Sequence, residues 1–118
     1  MNDYTDEALR AALPPIASLI SKSEKARQKL SPGTWQHAML EDNLKALRIA
    51  SALMNGEASD ADGFTQADLQ AALRALSSMI TRSENAHVKF APGTTQHTLL
   101  RNRIAALRVA EGLIQRSM

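Results

Sequence analysis

An ungapped shift of 60 residues lays positions 5–54 of this chain on positions 65–114, and 22 of the 50 aligned pairs are identical. That is several times what unrelated segments share, and self-similarity at a fixed period is the signature of a duplicated unit. The first copy reads TDEALRAALPPIASLISKSEKARQKLSPGTWQHAMLEDNLKALRIASALM. The second reads TQADLQAALRALSSMITRSENAHVKFAPGTTQHTLLRNRIAALRVAEGLI. Because no gap is needed, both copies must share element lengths and turn geometry. The 118 residues therefore read as a single domain, 1–118, made of two modules with a linker at 55–64.

Each module reads as two helices. Leu9, Leu13, Ile16, Ile20 and Leu30 recur at helical intervals, with Ala12, Leu19 and Ala26 widening the stripe. Thr5 and Thr65 are placed as N-caps, and Asp6 and Glu7 suit the positive end of the helix dipole. Ser31-Pro32-Gly33 and Ala91-Pro92-Gly93 then break the helix, since proline removes a donor and glycine admits positive φ. Thr34 and Thr94 cap a second helix. Its stripe is Leu40, Leu44, Leu47, Ala50, Leu53 and Met54, repeated as Leu100, Ile104, Leu107, Ala110, Leu113 and Ile114. Gly56 is a natural stop.

One hairpin buries too little surface to stand alone, so two should close over a shared core. The expected fold is all-α: an antiparallel four-helix bundle of two tandem helical hairpins related by a pseudo-two-fold axis. Pro14-Pro15 interrupts the first helix, where the second copy has Arg74-Ala75. A kinked or late-starting first helix and a straight third one follow.

Composition supports this class and removes others. Aromatic residues are 3% of the chain, and five glycines and four prolines leave little turn chemistry for many strands. The lack of cysteine excludes disulfides, thiolate metal sites and thiol catalysis. No apolar run approaches the ~20 residues of a membrane span, and Met1-Asn2-Asp3-Tyr4 has no signal-peptide layout, so a cytoplasmic location is expected. The linker sequence Asp60-Ala61-Asp62-Gly63 invites a calcium-loop reading. Aligning Gly63 with the loop glycine puts Ala58 and Leu69 where carboxylates belong, so a solvated linker is expected.

The polar residues kept in both copies are the first candidates for a site. Ser23 and Ser83 fall on the core stripe. Each is either a small residue bonded back to a carbonyl one turn earlier or the polar floor of a cleft. Neither has an identifiable base, so no nucleophile is expected. Glu24 and Glu84 flank the turn, and a hairpin folding about Pro32 should set Glu24 opposite residue 41. Lys29 and Lys89 sit near a helix C-terminus, which favours a cation by about 0.3–1 kcal/mol. Gln36, His37, Gln96 and His97 occupy the first turn after the Thr caps. They either cradle an anion such as phosphate or a carboxylate, or seal the turn by bonding its carbonyls. His37 with Glu41 has metal-ligand spacing, but Arg101 replaces the carboxylate in the second copy, so no metal or cofactor is expected. Arg48 and Arg108 follow the histidines by eleven residues on the same face. They either line a pocket for an acidic ligand or pack their stems and pair with carboxylates.

Differences between copies also speak. Glu41-Asp42-Asn43 becomes Arg101-Asn102-Arg103, a complementary set that would favour pairing within the chain near the pseudo-axis. Trp35 becomes Thr95, so that tryptophan is not needed for folding and suits an exposed anchor. Net charge is +2, with seven basic and four acidic residues after position 60. No stacking platform or basic tail accompanies the excess, which disfavours nucleic acid.

The strings SKSEKARQKLSPGTWQHAMLEDNLKALRIASALM and TRSENAHVKFAPGTTQHTLLRNRIAALRVAEGLI share an SExA…PGTxQH…ALR pattern covering most of each repeat. In this they resemble a class of small uncharacterised bacterial helical-hairpin proteins. The resemblance implies a hairpin that pairs with itself and brings no activity, cofactor or catalytic residue.

The sequence therefore points to a non-enzymatic bundle that binds another protein or itself, around Trp35 and the two PGTxQH turns. The alternative is a binder of a small anionic ligand or nucleic acid, using those turns with Arg48 and Arg108. No acid–base or nucleophile–base constellation supports an enzyme.

Overall fold

The computed structural model describes residues 5–56 and 64–118. They form four helices: α1 (Asp6–Gln28), α2 (Trp35–Asn55), α3 (Gln66–His87) and α4 (Thr95–Ser117). Each starts at the expected threonine. The hydroxyls of Thr5, Thr34, Thr65 and Thr94 accept the amide N–H of Ala8, His37, Asp68 and His97 at 3.0–3.2 Å. Thr65 goes further, because the Asp68 carboxylate accepts the Thr65 N–H in return and completes a capping box. The turns reverse direction through Gly33 and Gly93, at φ 92° and 89°. Gly56 ends α2 in the left-handed conformation.

The helices pack as α1 on α2, α3 on α4, α2 on α3 and α1 on α4, and α2 also touches α4 across the diagonal. α1 and α3 do not meet. This pattern is unchanged when the hairpins are exchanged, as two-fold pseudo-symmetry requires. The second helix of each hairpin is therefore the inner one, and the bundle is flattened to 40 × 39 × 19 Å. Touching three neighbours gives α2 a wide buried face: Leu44, Ala46, Leu47, Ile49, Ala50 and Met54 are buried, with Asn43 among them. The small side chains of Ala46, Ala50, Ala106 and Ala110 suit a close approach of α2 and α4. Core positions repeat between copies, as in Ala12/Ala72, Ile16/Leu76, Leu47/Leu107 and Met54/Ile114.

Two local expectations need correction. α1 begins at Asp6, so Pro14 and Pro15 do not delay it. Both lie inside the helix, Pro14 on its exposed side, so the Arg10 and Ala11 carbonyls that lack an N–H partner four residues on lie toward solvent. Ala26 is exposed rather than part of the stripe, because the last turn of α1 extends beyond the core. The two outer helices also differ. α1 buries Ala12 and Ile16, whereas α3 buries Leu69, Ala72, Leu76, Met79, Ile80 and Ser83. None of the four helices is long and apolar enough to cross a membrane. The Asp60–Gly63 calcium-loop reading, like most of the 55–64 linker, lies outside the described residues.

Candidate functional site

Glu24 and Glu84 each clamp a hairpin. The Arg48 guanidinium donates to Glu24 at 2.6 Å, and Arg108 makes the same bond to Glu84. The partner expected for Glu24 was residue 41, two turns nearer the loop. The difference follows from side-chain direction: helical side chains lean toward their own N-terminus. Glu24 thus leans away from the turn and Arg48 leans toward it, so they converge. Arg48 also faces a hollow it shares with Glu41, Lys45 and Asp68, a mixed-charge surface rather than an anion pocket.

The turn seal is made by threonine. Thr34 and Thr94 donate their hydroxyls to the Ser31 and Ala91 carbonyls at 2.9 and 2.8 Å. Histidine and glutamine are left out of it. The His37 ring pairs with Glu41 at 3.2 Å, while the His97 ring tilts against His87 with centroids 4.0 Å apart. Partial burial, then His87 and Arg101, lower the His97 pKa from its ordinary 6.5. The His87 Nε2 is buried without a hydrogen bond. Among the described residues, no three carboxylate or imidazole side chains converge as metal ligands would.

Both turns lie at one end of the bundle, since α2 and α3 run antiparallel with Arg82 reaching Met39 and Lys45 reaching Asp68. Trp35 is 71% exposed and Val88 80% exposed at this end, beside a half-exposed Phe90. Lys25, Lys29, Lys89 and Arg101 are exposed there as well. None has a carboxylate partner among the described residues, because Glu24, Glu41 and Glu84 are engaged elsewhere. Gln36 is half-buried and Gln96 exposed, and neither makes a side-chain hydrogen bond among the described residues.

Ser23 and Ser83 do not bond back to their own helices. Instead they line a cleft of about 240 Å³ reached by all four helices, with Asn43, Arg82 and Arg103. This is the polar-floor arrangement, without His37 or Arg48. Positions 43 and 103 do meet at one cleft, as their equivalence suggested. The expected ion pairs between 41–42 and 101 or 103 are not formed among the described residues. Asn43 and Arg103 were missed as site residues although the sequence carried a signal: 43, 47, 50 and 54 follow one helical stripe, as do 103, 107, 110 and 114. A polar residue on a core stripe is the informative exception.

A further concavity, about 610 Å³ and largely apolar, lies between α1 and α4 and is lined by Ala8, Pro14, Leu99 and Ala105 among others. At the matching place between α2 and α3, Lys45 and Asp68 make an ion pair at 2.8 Å. The duplicate positions, 105 and 8, are both alanine, which leaves the α1–α4 groove unbridged. No family model, curated protein or solved structure matches this chain.

Proposed function

We propose that this chain is a non-enzymatic binding module that engages an acidic segment of another protein with its turn end. The observation that carries the reading is Trp35, 71% exposed at the first turn of α2. A large indole held in water at the start of a rigid helix is the kind of anchor that dominates protein interfaces. Val88 and Phe90 extend the apolar surface at the same end. The uncompensated lysines and Arg101 supply the charge that would select an acidic partner and speed its approach. The two hairpins supply the rigid support.

The test is site-specific photo-crosslinking in cells from a position beside Trp35, comparing wild type with Trp35→Thr and with the charge reversal Lys29→Glu/Lys89→Glu. Trp35→Thr installs the residue of the second copy and should leave the fold intact. The expected outcome is one discrete acidic partner whose affinity, measured on the purified pair, falls at least tenfold in each variant, or about 1.4 kcal/mol. Equal recovery from all three chains would overturn the reading, as would a crosslink only to a second copy of this chain.

A further inference from the structure

We propose that the four-helix cleft between Asn43 and Arg103 is a binding site for a small organic oxyanion, a carboxylate or a phosphate monoester on a short apolar body. The site is distinct from the turn end and stands independently of the interaction reading.

Its carrying observation is a pair of largely buried polar side chains that line the cleft without a protein partner. Asn43 is 6% exposed and Ser83 8% exposed, and both face the cleft. Neither makes a side-chain hydrogen bond among the described residues, and Ser23 on the opposite wall makes none either. Among the described residues only the His87 Nε2 is a side-chain polar atom sealed from solvent without a partner, so the amide and hydroxyls here keep access to the cleft and are free to bond what enters it.

The charge of the cleft names the occupant's sign. Arg82 and Arg103 both line it, and no acidic residue does. Arg103 has no hydrogen-bond or ion-pair partner among the described residues. The Arg82 guanidinium finds only the Met39 thioether sulfur, at 3.2 Å. Arg48 and Arg108, by contrast, are each held by a glutamate. The cleft thus joins two uncompensated guanidinium groups, an amide and two hydroxyls, a donor-rich set suited to oxyanions.

Size and walls narrow the class. A volume near 240 Å³ is below the ~300–1,000 Å³ of drug-sized ligand sites. Leu19, Met79, Leu100 and Leu107 form apolar sides, which suit a few methylenes behind the anionic head.

The duplication brings equivalent positions of both copies to this one cleft, and their divergence sets its chemistry. Position 43 supplies a neutral amide and its equivalent, position 103, a guanidinium. Two arginines there would repel and two asparagines would leave only Arg82 to supply charge. The divergence makes one asymmetric cradle.

The experiment is an NMR titration of the full chain at constant ionic strength with hexanoate, hexyl phosphate, inorganic phosphate and hexan-1-ol. The expected result is saturable shifts of the Asn43 side-chain amide and of backbone amides in 79–86 and 100–107. Hexanoate or hexyl phosphate should bind at least tenfold more tightly than hexan-1-ol, and their ranking separates the carboxylate source from the phosphate source. Arg103→Gln should weaken the better ligand at least tenfold. Asn43→Leu should abolish saturable binding while keeping a cooperative melting transition, since it removes an amide donor from the cleft and places an apolar side chain on a core stripe. Non-saturating shifts with every anion, equal binding of hexan-1-ol, or unaltered affinity in Arg103→Gln would each overturn the proposal.

Discussion

Thr5, Thr34, Thr65 and Thr94 show what is legible one residue at a time. A cap is a local bond, fixed by a hydroxyl three residues before an amide, so all four were placed from sequence and all four form. The Glu24–Arg48 clamp was not legible in the same way. Its partners are 24 residues apart, and which ones meet depends on side-chain lean across a turn. As an exposed ion pair it contributes about 0.2–1 kcal/mol, too little to read from composition or pattern. His97 shows a third case: its shared position with His37 hid a divergent environment, because Arg27 becomes His87 and Glu41 becomes Arg101 in the second copy. That environment gives a pH dependence. Well above pH 6.5 His97 is neutral in the folded and unfolded chains alike. As pH falls below 6.5, the unfolded chain takes up a proton that the folded chain resists, so stability is lost toward the lowered folded pKa. The urea midpoint should fall as pH drops below 6.5, and fall less in His97→Gln. Identical profiles for the two chains would show that the imidazole pair has no such role.

At the scale of the element, α1 is the helix whose sequence and structure disagree. Two prolines inside a helical stripe argued for a kink or a late start, and the helix starts on time, running from Asp6 to Gln28. The apolar face of Ala12 and Ile16 is buried against the inner helices, and that tertiary contact outweighs the lost backbone bonds. The cost is still present in the folded chain. Replacing Pro14 and Pro15 by the Arg and Ala of the second copy restores two donors, for the Arg10 and Ala11 carbonyls. The double variant should be stabilised by more than about 1 kcal/mol, up to about 3, and slow hydrogen exchange in residues 9–18. An unchanged or lowered denaturation midpoint would show that these prolines are accommodated without loss, or serve the α1–α4 groove they line. The helix positions themselves were legible, because periodicity, caps and turn residues agreed. The identity of the inner helices was not, since an amphipathic stripe tells that a face is buried but not how many neighbours bury it.

At the scale of the molecule, the two copies divide their labour by divergence. The shared polar residues are mostly engaged in the hairpins: threonines cap and seal, and Glu24 and Glu84 hold Arg48 and Arg108. At the turn end the shared Lys29, Lys89, Gln36 and Gln96 are also unengaged, but within the cleft the unengaged amide and guanidinium fall where the copies differ, at Asn43 and Arg103. Arg82, which replaces Lys22, has only a thioether partner. Ser23 and Ser83 are the exception, shared by the copies and yet facing the cleft. Treating agreement between copies as a sign of function therefore drew attention to Arg48 and His37 and away from Asn43 and Arg103. A symmetrised chain separates the two roles. Arg82→Lys with Arg103→Asn gives the second copy the polar cleft residues of the first, while every cap, clamp and turn is kept. The decisive measurement is the hexanoate and hexyl phosphate titration of this variant, with its melting temperature taken alongside. The expected result is a chain that melts within a few degrees of wild type and no longer binds either anion saturably. Retained binding at wild-type affinity would contradict the claim that divergence between the copies built the site.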